Sequence, residues 1–172
     1  MELTFVEPNL RRLDEVSSEV ISCHIWQDRR PFQGLAGLLD WRLSGRLSEL
    51  TRSGFLNGTL GEVLLMPLGL ELPFDKLLLF GLGMREDFAD TTCRVVTEKL
   101  LRALEGLRIR RAVVELPGRA NEAISSERAA DLLLGAVGES PYHESWRLVE
   151  NEAGRDAILR RTDEQRRRVR RL

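Results

Sequence analysis

Two hydrophobic periods run along this chain, and the switches between them mark out its elements. Residues 3–6 read as a short opening strand stopped by Pro8, and residues 20–26 as a second strand. In that second run Ile21, Cys23 and Ile25 share one face, while Val20, Ser22, His24 and Trp26 share the other, which predicts partial cover on both sides. From 34 to 50 leucines recur at helical spacing, interrupted near Gly45, and Gly54, Gly58 and Gly61 then punctuate a loop. Residues 62–66 and 76–80 are apolar runs of strand length. Leu77, Leu78, Leu79 and Phe80 show no polar alternation, as expected of a central strand covered on both faces.

The period then returns to helical. Ala89, Cys93, Val96, Leu100, Leu104 and Leu107 recur every three or four residues, with Asp87 or Asp90 as the expected N-cap and Gly106 at the expected left-handed end. Glu98 and Arg102 form an outer-face pair worth about 0.2–0.5 kcal/mol. Residues 109–116 predict another strand closed by Pro117 and Gly118. Ser125 or Ser126 opens a helix through Leu132, Leu133, Ala136 and Val137 that Gly138 ends. Residues 146–150 and 157–160 read as strands around a hairpin turn at 151–154. Strands alternating with helices predict an α/β class with helices on a mixed sheet.

Composition bounds the chemistry. A chain of 172 residues, 42% hydrophobic and 31% charged, fits one folded globular domain. The formal net charge of -1 supplies no global field toward nucleic acid or membrane. That balance hides an asymmetry, because Arg160, Arg161, Arg166, Arg167, Arg168, Arg170 and Arg171 crowd the C-terminus. The expected division is therefore a domain over 1–159 followed by an Arg-rich tail or helix over 160–172. Cys23 and Cys93 fall within predicted core elements and read as buried thiols. With no apolar stretch of signal-peptide or membrane-span length, the expected setting is cytoplasmic.

Leu39-Asp40, Gly45-Arg46-Leu47, Gly54-Phe55, Gly58, Gly61-Glu62 and the apolar strand ending in Gly81-Leu82-Gly83 follow one another in an order that resembles a known family. It is that of the leucyl aminopeptidase N-terminal domain. The resemblance extends through the helix from Asp87 to Leu107, the strand from Ala112 to Pro117 and the small-residue helix from Ala130 to Gly135, and so covers most of residues 19–150. It implies a macro-domain-like, three-layer α/β/α fold. It also implies a non-catalytic part, because the family's chemistry lies in a C-terminal domain that binds a pair of divalent metals. Asn151-Glu152-Ala153-Gly154-Arg155 looks like a piece of that domain's Asn-Thr-Asp-Ala-Glu-Gly-Arg signature but lacks its Thr-Asp, and Glu152 has no partner carboxylates in view. No metal, no cofactor and no catalytic residue is expected, and the domain is expected to stand alone.

Other sites compete with plain packing. Adjacent Cys23 and His24 point to opposite faces of a strand, so they neither chelate one metal nor form a nucleophilic pair, and His143 is the remaining histidine. Gly81, Leu82 and Gly83 precede a helix and are the candidate ligand-binding turn, because macro domains hold ADP-ribose phosphates with related loops. Against that stand Glu86, Asp87 and Asp90 at the same helix start, and Gln27-Asp28-Arg29-Arg30 where the macro family has an asparagine-rich loop. The terminal arginines are the candidate nucleic-acid or partner contact, although no aromatic residue accompanies them for base stacking. The leading expectation is an interaction or assembly module that binds a protein partner or itself. A nucleotide binder and a DNA-binding accessory are the alternatives.

Overall fold

The computed structural model describes residues 2–138 and 142–169, with side chains as far as residue 164. Its centre is a six-stranded mixed sheet in the order β1-β6-β5-β2-β4-β3. The strands are β1 (Glu2–Val6), β2 (Ser18–Ile25), β3 (Val63–Pro67), β4 (Phe74–Gly81), β5 (Arg111–Val114) and β6 (Ser145–Val149). All neighbours are parallel except β3, which runs antiparallel to β4 along one edge.

Helices cover both faces, giving three α/β/α layers. On one face α1 (Leu10–Asp14), α2 (Gly34–Arg42) and α3 (Arg46–Arg52) supply Leu13, Leu35, Leu39 and Leu47 to a core shared with Ile21, Cys23, Ile25, Leu77 and Leu79. On the other, α4 (Asp90–Gly106), α5 (Ser126–Val137) and α6 (Glu152–Val169) supply Cys93, Val96, Leu100, Leu133 and Ile158 to a core shared with Val20, Leu78 and Phe80. The unbroken apolar run of β4 is thus divided residue by residue between two cores. The paired helices α2 and α3 are joined by Asp40, whose carboxylate accepts the Ser48 backbone N–H at 3.0 Å and caps the second helix.

Four details differ from expectation. Residues 157–160 are helical, and Asn151 is a cap instead of a hairpin residue: its side-chain oxygen accepts the Gly154 N–H at 2.8 Å and its carbonyl the Arg155 N–H at 2.9 Å. Gly154, Ala157 and Ile158 are buried at helical spacing, but so few apolar residues leave that period indistinct from strand alternation in the sequence. The N-cap of α4 is Ala89; Asp87 lies in a short 3₁₀ turn and Asp90 inside the first helical turn, where its carboxylate meets Arg128 at 2.7 Å. Left-handed geometry beyond α4 falls on Arg108 (φ 59°), not on Gly106. Helix α1 has too few apolar residues for a periodic signal, and Asn9 caps it through the Arg12 N–H.

Candidate functional site

Because β2, β4, β5 and β6 are parallel, their C-terminal ends open on the same side of the sheet, where α/β folds place ligands. Here the loops at that end are bound to one another. Trp26, at the tip of β2, is buried and donates from Nε1 to Asn121 Oδ1 at 2.6 Å. Phe88 meets its ring edge-on at 5.1 Å, and the Arg85 guanidinium lies 5.4 Å from the ring centre. Arg30 donates to the Trp26 carbonyl, and the Arg85 N–H donates to Asp28. An indole thus fills the space between the loops after β2, β4 and β5.

The Gly81-Leu82-Gly83 turn is drawn into the same network. Gly81 N–H donates to the Glu62 carbonyl, Leu82 N–H to that of Ile25 and Gly83 N–H to that of Gly58, each at 2.9 Å. All three donors that a phosphate would need are occupied by backbone carbonyls. The glycine at 81 has a steric reason, since a Cβ there would stand 2.0 Å from the Thr59 carbonyl oxygen.

Beneath the loops lie two carboxylates of different character. Glu150, just past β6, forms a two-point ion pair with Arg119, and both side chains are withdrawn from solvent. Glu115, just past β5, is buried, and one oxygen accepts the Leu35 N–H at 2.8 Å while the other has no partner. Burial pushes its carboxyl up to about 8, with Glu150 adding to the rise and the Leu35 N–H and Arg119 opposing it. Neither carboxylate is legible in the sequence, because no local motif marks a pair separated by 35 positions.

The thiols and imidazoles are buried. Cys23 and His24 lie on opposite faces of β2 as expected, each wholly withdrawn from water, and burial raises the thiol well above its ordinary value. Burial lowers His24 to about 3, so its ring is neutral, and it packs beside Phe80. Cys93, pushed up to about 11 chiefly by burial, is a thiol at neutral pH. His143 sits at the other end of the sheet beside Glu105 and Trp146. Among the described residues no three His, Cys, Asp or Glu side chains gather as a metal site would require, and no helix is long and apolar enough to cross a membrane.

The arginines divide. Arg161 forms a fork with Asp131 of α5 at 3.0–3.2 Å, tying α6 to its neighbour, whereas Arg160 is exposed. Arg166, Arg167 and Arg168 continue the backbone of α6 beyond the described side chains, and Arg170 and Arg171 lie outside the described residues.

Apolar side chains are left exposed at Trp41, Phe55 and Leu70, and also along the outer strand. Val63 and Leu65, which point to the α4 side of β3, are 46% and 48% exposed. No charged side chain occurs between Val63 and Pro67, and the preceding Glu62 turns its carboxylate back onto the N–H groups of Asn57 and Gly58. Proteins blunt such an edge with charge, with proline or by keeping it short; β3 carries no charge, but it is five residues long and ends in Pro67.

Comparison with known proteins agrees with this architecture. A probable cytosol aminopeptidase from Thermosynechococcus vestitus is 38% identical over 91 residues, which is 53% of this chain but 18% of that relative. The match therefore spans under a fifth of the relative's length. Among solved structures, a mutant macrodomain from Oceanobacillus iheyensis superposes with a TM-score of 0.71 at 12% identity, over 96% of this chain and 92% of that one. A mutant tomato leucine aminopeptidase superposes with a TM-score of 0.62 at 13% identity, over 92% of this chain and 35% of that one. At such identities these two establish a shared fold. Residues 21–143 match the model described as the cytosol aminopeptidase family, N-terminal domain, and by that match the chain belongs to the cytosol aminopeptidase family.

Proposed function

We propose that this chain is a non-catalytic interaction module, in which the family's N-terminal scaffold docks a protein through the β3 edge, in the cytoplasm. One observation carries the reading: an uncharged outer strand with Val63 and Leu65 left in water. Both side chains are about half exposed, so a partner that covered them would gain about 1 kcal/mol for each, roughly half of what full burial of such a side chain supplies. The crevice at the other end of the strands supports it indirectly, since Trp26 and the Gly81-Leu82-Gly83 turn spend their hydrogen bonds on the protein itself.

The test is co-purification of the full chain from its native host beside a Leu65→Lys variant. A partner, or a second copy, held by the wild type and released by the variant supports the reading. Equal recovery of the same species with both chains would remove the β3 edge from the account.

A further inference from the structure

At the edge of the sheet opposite β3, we infer that an open groove on the α1 side of β1, β6 and β5 binds a small carboxylate, with Arg147 as its anchor. The groove follows from a mismatch of lengths. Toward α4, α5 and α6 the three strands turn Leu3, Phe5, Ala112, Trp146 and Leu148 into a core. Toward α1 their second halves turn Val6, Val113 and Val149, which share a core with Leu13 and Val16. Helix α1 has only five residues, so at about 7.5 Å it is half as long as β1 or β6, at about 16 Å. Over the first halves the face is polar, and Glu2, Thr4, Arg111, Ser145 and Arg147 line a groove of about 410 Å³. Parallel strands are ordinarily covered on both faces; here half of one face is left open.

Register places the charges. Arg147 stands between Thr4 of β1 and Val113 of β5, and the next row on the same face is Glu2, Ser145 and Arg111. Its Nε donates to Thr4 Oγ1 at 3.4 Å, and among the described residues its two terminal nitrogens have neither a hydrogen bond nor an ion pair. The side chain is half-buried, with those nitrogens open to the groove. The acids of the groove do not answer this charge. Glu144 is held by Arg110 at 2.9 Å and Arg111 at 3.4 Å, and Glu2 lies a row away.

A guanidinium partly withdrawn from water, with its outer edge unspent, fits a carboxylate in a two-point pair. The same acids set the charge of the ligand: a carboxylate brings one negative charge, whereas a doubly charged phosphate would be repelled by Glu2 and Glu144 in the same groove. Hydroxyls of Ser17 and Ser145 supply neutral partners for the rest of the ligand. Ligand pockets run from about 300 to 1,000 Å³, and this one lies near the lower bound, which favours a small molecule over a protein chain as the source of the carboxylate.

Titration of the nitrogen-15-labelled full chain with sodium propionate at constant ionic strength, followed by NMR, tests this. Saturable shifts are expected at the amides of Thr4, Ser145 and Arg147 and at the Arg147 Nε–H, with a dissociation constant in the millimolar range. Propionamide, the uncharged counterpart, is expected to shift none of them, and inorganic phosphate to bind more weakly than propionate. Arg147→Gln is expected to weaken propionate binding at least about tenfold. As Arg147 is half-buried, a second variant keeps the test independent of its folding: Thr4→Asp sets the protein's own carboxylate beside the guanidinium and is expected to abolish binding in a folded chain. Shifts that grow in proportion to propionate without saturating, that propionamide reproduces, or that persist unchanged in both variants overturn the site. Tighter binding of phosphate than of propionate overturns the carboxylate.

Discussion

Arg119 and Glu150 close on each other in a two-point ion pair of 2.7 and 3.0 Å, with side chains 8% and 6% exposed. Arg119 also donates to the Ile124 carbonyl at 2.7 Å, so one guanidinium fixes the loop after β5 to the end of β6. Glu150 has room because residue 154 is glycine; a Cβ there would stand 2.4 Å from its carboxyl carbon. Removing one member of such a pair strands the other as a buried charge, which costs about 3–5 kcal/mol. Arg119→Met is therefore expected to lower unfolding stability by that order in urea titration, and the double variant Arg119→Met with Glu150→Leu to regain much of the loss. A single variant as stable as wild type would mean that the pair opens to water.

Two buried groups set an acid and an alkaline limit. The Glu115 carboxyl is raised by burial from 4.5 to about 8, so between those values the folded chain holds a proton that the unfolded chain has lost. Stability contributed by this group is complete below about pH 4.5 and falls as pH rises toward 8, by about 1.4 kcal/mol per unit. His24 is lowered by burial from 6.5 to about 3, so its contribution is complete above 6.5 and is lost as pH falls toward 3. The opposing slopes cancel between about 4.5 and 6.5 and leave a plateau there. Glu115→Gln, which keeps an acceptor for the Leu35 N–H, is expected to flatten the alkaline decline in urea midpoints measured from pH 6 to 9. A decline of equal steepness in both proteins would place the titrating group elsewhere.

How much of this was legible beforehand depends on the range of the interactions. The run Leu77 to Phe80 announces a central strand because burial on both faces leaves no polar position, and the division of β2 between two cores follows from its alternation. Both are local consequences of period. The plug formed by Trp26 with Asn121 and the Arg119–Glu150 pair join positions far apart in the chain, and no period reports them. The β3 edge was hidden for another reason: an apolar strand of five residues reads alike whether one neighbour flanks it or two.

The crevice yields a prediction in the negative. With Trp26 buried between the loops and the donors of Gly81, Leu82 and Gly83 committed, ADP-ribose is expected to leave the melting curve unmoved. Trp26→Ala is expected to lose about 3–5 kcal/mol, the usual range for removing a packed aromatic side chain. A dose-dependent rise in melting temperature with ADP-ribose on the wild type would show that the loops part readily, and would restore the nucleotide reading.

The last prediction separates helix from hairpin at residues 151–154. A turn residue in a hairpin is valued for its backbone geometry, so Asn151→Gly would be well tolerated there and Asn151→Asp neutral. An N-cap is valued for its side-chain oxygen, which here accepts the Gly154 N–H, and for negative charge at the positive end of a long helix. Asn151→Ala is therefore expected to cost about 1 kcal/mol, and Asn151→Asp to match or slightly exceed wild type with a gain that shrinks in salt. Helix α6 also carries Ile158 into the core and Arg161 to Asp131, so weakening its first turn should loosen both contacts and speed hydrogen exchange at its buried amides. If Asn151→Ala changed neither stability nor exchange along α6, the capping role of this side chain would be lost, and with it the reason that the segment departs from the strand its sequence suggests.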